Sequence, residues 1–167
     1  SPVRRGDIIE YNSIVLAAQV LGWGGVPERY PITPDIRGEI LARVQQAADS
    51  SDLVLINAGS SAGAEDFTAG VVQELGELLV HGVAVRPGHP VILGMLRRSN
   101  DPGRRVPVIG IPGYQVSAAL TGEIFVEPLL ARWLGRAASE PVEVTATMTR
   151  KVTSPAGDDD YMRVVAG

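Results

Sequence analysis

The residues best suited to chemistry lie between Asp52 and Asp66. An apolar run, Leu53-Val54-Leu55-Ile56, precedes Asn57-Ala58-Gly59-Ser60-Ser61-Ala62-Gly63-Ala64-Glu65-Asp66, and a helical pattern follows. A short hydrophobic run bounded by turn residues predicts a buried strand. The loop after it carries glycines, hydroxyls and carboxylates and feeds a helix N-terminus. Such a loop turns backbone N–H groups toward an anion and can offer carboxylates to a metal ion. Gly59, Ser60, Ser61 and Gly63 would form the cradle; the same glycines also suit a tight strand-to-helix turn. Asp66 is either a carboxylate for Mg²⁺, which favours one or two carboxylates plus substrate oxygens, or a plain helix cap. Asp35 has the same two readings, and Thr33-Pro34-Asp35 is itself a good helix start.

Two further turns carry polar or rigid groups. Arg86 and His89 flank Pro87-Gly88. The arginine would be a permanent cation for an oxyanion, the histidine a switchable one or a packing residue. Pro112-Gly113 closes a second apolar run and would make a rigid lip, or simply a turn.

The elements that must position these groups follow from periodicity. Asn12 or Ser13 can cap a helix over Ile14–Leu21, apolar nearly all round, predicted deeply buried and ended by Gly22. Val26–Ile32 reads as a short strand. Thr33 caps a helix that runs to Ala48 with Ile36, Ile40, Leu41, Val44 and Ala48 at helical spacing. Asp52–Asn57 is a strand, and a helix follows from Asp66 or Phe67 to Leu75, with Gly76 as its stop. Leu78–Val85, Val91–Leu96 and Val106–Ile111 read as strands, with a polar loop at Ser99–Arg105. A helix spans Val116–Leu134, where Pro128 should kink or restart it. Strands alternating with helices predict an α/β fold, a three-layer, mainly parallel sheet with helices on both faces. Ligand crevices of such sheets lie off the strand carboxyl ends, where the 57–66 loop and the Pro112-Gly113 turn both emerge. From Pro141 apolar and polar residues alternate, so residues 1–138 form the α/β domain and 139–167 the start of a small β domain.

The bulk numbers narrow the class. The chain has 167 residues, 45% apolar and 20% charged, and a net charge of −4. This fits a soluble globular domain and weighs against nonspecific nucleic-acid binding. Arg4-Arg5, Arg97-Arg98 and Arg104-Arg105 read as solvated loop arginines. Without cysteine, disulfides, thiolate metal sites and a cysteine nucleophile are excluded. Two histidines make an all-imidazole zinc site a poor reading. The run Ile14–Leu21 is too short to span a membrane, and the expected compartment is the cytoplasm. Ser1 in place of Met reads as an excised segment.

Five segments, in order, resemble the central domain of the MoeA and gephyrin family of molybdopterin molybdenumtransferases. Gly6-Asp7-Ile8-Ile9-Glu10-Tyr11-Asn12-Ser13 resembles the segment leading into its first helix, and Pro34-Asp35 its acidic loop. Gly59-Ser60-Ser61-Ala62-Gly63-Ala64-Glu65-Asp66-Phe67 is similar to its Gly-Gly-x-Ser-x-Gly-x-x-Asp-Tyr/Phe loop. Arg86-Pro87-Gly88-His89-Pro90 resembles its Pro-Gly-Lys-Pro turn, and Ile111-Pro112-Gly113-Tyr114-Gln115-Val116-Ser117 its Leu-Pro-Gly-Asn-Pro-Val-Ser signature. The resemblance implies a MogA/MoaB-like fold whose first strand precedes this chain. It also implies insertion of molybdate into adenylylated molybdopterin with release of AMP, a Mg²⁺ cofactor and a dimer. It casts Asp66 and Asp35 as catalytic, and Asp66 and Glu10 as metal ligands. Gly59, Ser60, Ser61, Gly63, Arg86, Gly88, His89, Pro112, Gly113 and Ser117 would bind molybdopterin. Ala58, Ala64 and Tyr114-Gln115 depart from the pattern and leave open a binding module without turnover, inside a larger regulatory or transport-linked protein.

Overall fold

The computed structural model describes residues 9–57, 64–101, 103–137 and 142–165, with side chains from residue 67 onward in the helix that begins at Ala64. The loop residues Gly59, Ser60, Ser61 and Gly63, the Asp66 side chain and the expected domain junction at 139–141 lie outside this description.

Helix α1 is Asn12–Gly22. Its first turn is closed by neither Asn12 nor Ser13. The Glu10 carboxylate does so, accepting the Ser13 N–H at 2.7 Å and the Ser13 hydroxyl at 2.7 Å. The helix ends at Gly22 as expected, and the chain turns away at Gly24, whose φ of +81° suits glycine. Gly24 N–H bonds to Leu21 O at 3.1 Å and Gly25 N–H to Val20 O at 2.9 Å, a Schellman pair. The helix is not deeply buried. Asn12 and Leu16 face inward, while Ile14 and Leu21 are 53% and 66% exposed. Only one stripe meets the helices behind it.

Val26–Ile32 forms no strand and pairs with no described strand, and Val26 and Ile32 stand in solvent. Extended backbone becomes a strand only where a neighbour accepts its hydrogen bonds. Helix α2, Arg37–Ser50, starts after Ile36, so Thr33 is not its cap and exposed Asp35 precedes it.

The sheet contains β1 (Val54–Asn57), β2 (Gly76–His81), β4 (Ile92–Arg97) and β5 (Arg105–Ile111) in the order β1-β5-β4-β2. Strand β3 (Val85–Arg86) stands apart from it. The α/β class is as expected, but the sheet is mixed rather than mainly parallel. Only β1–β5 is parallel; β4–β5 and β2–β4 are antiparallel. The connections at 82–91 and 98–104 are hairpin-length, too short for the crossover a parallel pair needs. Helix α3, Ala64–Leu75, passes straight into β2. Gly76 therefore opens a strand instead of ending a helix, and a Cβ there would lie 1.9 Å from Met95 O.

Side-chain alternation along β5 builds two cores. Val106 and Val108 pack with Val44, Ala48, Val71 and Val72 of α2 and α3. Ile109 and Ile111 pack on the other face with Leu16 and with Ala118, Val126 and Leu130. The last three belong to the predicted 116–134 helix, which is divided into α4 (Gln115–Thr121), a wide π-type turn (Gly122–Val126) and α5 (Glu127–Trp133). Pro128 restarts it as α5, because it cannot donate to the preceding turn.

The tail 142–165 forms no strand at 142–148 or 161–165. Its one strand, β6 (Asp159–Asp160), pairs in parallel with β3, and Asp158 binds Arg86. Alternating sequence without a long neighbour does not make a ladder.

Candidate functional site

The parallel pair β1 and β5 ends level, with Asn57 opposite Ile111. The chain therefore leaves β1 after Asn57 and β5 after Ile111 at the same level of the sheet. This is the carboxyl end of the one parallel pair described within the four-stranded sheet, where α/β sheets open toward ligands. Pro112 is buried, Gly113 is half-buried, and Tyr114 beyond it is exposed.

A polar chain closes the floor of this end. The Asn12 amide donates to Gly113 O at 2.8 Å and to Asn57 Oδ1 at 3.3 Å. Asn57 in turn donates to Glu10 Oε1 at 3.0 Å. Glu10 holds Ser13, whose hydroxyl accepts from Arg29 Nε at 3.1 Å. Asn12 is 6% exposed, so its amide must be satisfied internally, and it is. None of Asn12, Asn57 and Arg29 stands out in the sequence. Asn12 looks like a helix cap, and Asn57 looks like the turn residue after a strand.

The expected site residues divide into groups. Asp66 is the third residue of α3 and not its cap. Glu10 comes to the site end, but both its oxygens serve α1 and Asn57. Asp35 lies on the surface before α2, on the rim of a groove. The Arg86–His89 turn hangs from the same end of the sheet, since β4 opens with Ile92 opposite Gly110. Gly88 is buried with φ +130°, at a position where a side chain would approach Thr121. Arg86 is engaged by Asp158 of the tail, and His89 is exposed. Ser117 is buried in α4, and its carbonyl accepts the Thr121 hydroxyl at 2.7 Å. Among the described residues no three His, Asp or Glu side chains converge on a point that could hold a metal ion.

Beside this end, the free edge of β1 faces a groove of about 1310 Å³. Leu16 and Val20 of α1 form one bank, Val44 and Ala47 of α2 the other, and the unpaired 25–33 segment its rim. Among the described residues no helix is long and apolar enough to cross a membrane.

Comparison with known proteins agrees with this architecture. The family described as "Probable molybdopterin binding domain" matches residues 2–132. A Methanocaldococcus jannaschii protein named for molybdopterin biosynthesis is 33% identical over 95% of this chain and 36% of its own length. Molybdopterin molybdenumtransferase 2 of Mycobacterium tuberculosis is 29% identical over 99% of this chain and 40% of its own. The crystal structure of the molybdopterin biosynthesis MoeA protein from Pyrococcus horikosii superposes with a TM-score of 0.69 at 33% identity, covering 81% of this chain and 32% of that one. The chain belongs to the molybdopterin-binding domain family. It spans 36–40% of the length of these two curated relatives.

Proposed function

We propose that this chain is the molybdopterin-binding part of a molybdenumtransferase, acting in molybdenum cofactor biosynthesis. The observation that supports the reading is the level ending of β1 and β5, with Asn57, which the glycine-rich sequence follows, opposite Ile111, which the Pro112-Gly113 turn follows. The substrate is adenylylated molybdopterin. Both dithiolene sulfurs bond to molybdenum while their two protons carry one molybdate oxygen away as water; a water molecule attacks the adenylyl phosphoanhydride, its P–O bond breaks, and AMP leaves. The sulfurs belong to the ligand, so a chain without cysteine is suited to the task.

The backbone N–H groups of Gly59–Gly63 bind the phosphate oxyanion, and Pro112 and Gly113 bound the pterin. Gly88, His89 and Ser117 line the far side, with Arg86 a cation there when it leaves Asp158. Asp66 is the carboxylate best suited to Mg²⁺, together with substrate oxygens; the ion would offset phosphate and molybdate charge. Asp35 is a second acidic group toward the same ligand. Glu10 is the weakest metal ligand of the set, because its oxygens already have partners. The protein works in the cytoplasm as a homodimer.

Molybdate-dependent AMP release from adenylylated molybdopterin, measured on the full-length protein that carries this segment, tests the reading. Turnover supports it; tight binding without AMP release replaces it with a binding module. That second reading draws on the engaged Glu10 and Arg86. With Asp66→Ala, affinity in the presence of Mg²⁺ should fall about tenfold, the size of one lost charged contact. Unchanged affinity would leave Asp66 as a helix-dipole partner only.

A further inference from the structure

We infer that Asn12 and Asn57 are positioning residues that hold the end of β1 and the Pro112-Gly113 turn at a fixed separation for molybdopterin binding; this rests on the functional reading above. The parts they join are distant in the chain. Asn12 and Gly113 are 101 positions apart, and Asn12 and Asn57 are 45 apart. One amide group bonds to both. Its donation to Gly113 O turns that carbonyl toward α1 and fixes the Pro112-Gly113 lip. Its contact with Asn57 Oδ1 fixes the last residue of β1, from which the glycine-rich loop departs. Asn57 then passes its own donor to Glu10, which holds the start of α1. Lip, loop root and helix start are thereby indexed to one buried side chain.

The residue types suit a site for an anion. A lysine or arginine at position 12 would compete for the phosphate, and a carboxylate would repel it. A carboxylate would also face Gly113 O and Asn57 Oδ1, two acceptors, with nothing to donate. A neutral amide supplies the donor without the charge. The grip acts through backbone, so neither asparagine needs to touch the ligand.

The test is molybdopterin affinity of the chain, measured by titration alongside the unfolding midpoint. Asn12→Asp keeps the shape and removes the donor. Its affinity should be lower than wild type by about tenfold, the effect of one buried bond lost. Asn12→Gln, which keeps an amide donor, should recover most of that loss. A merely destabilised variant would show no such recovery. Asn57→Ala, which leaves the Gly113 bond in place, should lose about threefold, and it carries the test if Asn12→Asp does not fold. Asp49→Asn, at the opposite end of the sheet, serves as the control. Wild-type affinity in a folded Asn12→Asp or, failing that, in Asn57→Ala overturns the positioning role alone. Failure of the wild type to bind molybdopterin overturns the functional reading and the positioning role together.

Discussion

The two ends of the sheet are built from different chemistry. At the amino end of β1 and β5, loops are fastened by charged side chains. Arg98 donates to Asp49 O at 3.2 Å and Ser51 O at 2.7 Å, tying the end of α2 to the β4–β5 loop. Arg104 binds Asp52 at 2.8 Å, Arg105 binds Glu77, and Asp49 accepts the Ser99 N–H at 2.7 Å and its hydroxyl at 2.5 Å. At the carboxyl end two neutral amides and the Glu10 carboxylate hold the end of β1 and the Pro112-Gly113 turn, with the Arg86–Asp158 pair on the β2–β4 connection. An end whose charges satisfy each other has little left for a ligand. An amide holds Gly113 O without adding a charge there.

Substitutions at each end can break this contrast. Arg98→Ala should have the largest effect on stability, about 2 kcal/mol, because the largely buried guanidinium bonds to two carbonyls, of which Asp49 O would keep only a long contact from the Asn100 amide. Urea unfolding measures it, and molybdopterin affinity should stay within about twofold. A large affinity loss would mean that the two ends are not separable.

Glu10→Ala should cost about 1 kcal/mol, the usual value of a lost helix-terminal partner. The Mg²⁺ dependence of binding should not change if Glu10 serves as a cap and bridge alone. A shifted Mg²⁺ midpoint would restore it as a metal ligand.

Asp49→Asn should have the smallest effect, visible only in its pH dependence. The side-chain and backbone hydrogen bonds from Ser99 hold the Asp49 carboxyl below its ordinary value of 3.8. A carboxyl whose folded pKa is depressed adds stability above the unfolded pKa and loses it as pH falls through the folded one. Wild type should therefore exceed the variant in stability at neutral pH, and the gap should close as pH drops below 3.8. A gap constant across acid pH would assign the effect to packing.

Much of the fold was legible because burial leaves a periodic trace. The β1 run, the α2 stripe, the β5 run and the break at Pro128 follow from spacing and ring chemistry alone. Val26–Ile32 misled because strand residues show a tendency to extend, while a strand needs a neighbour. One arginine misled in a similar way. Arg97, Arg104 and Arg105 are exposed as expected, yet Arg98 is largely enclosed by the carbonyls that it meets after folding. At the site, the loop and the Pro-Gly lip could be read from glycine and proline. The asparagines that join them could not, since a contact across 101 positions leaves no local pattern.

Amide hydrogen exchange with and without molybdopterin tests the central claim most directly, because it reads both ends of the sheet in one experiment. The account predicts slower exchange at 57–63 and 112–117 on addition of ligand, with 97–105 unchanged. Protection at 97–105, or none at the carboxyl end despite binding, would contradict it.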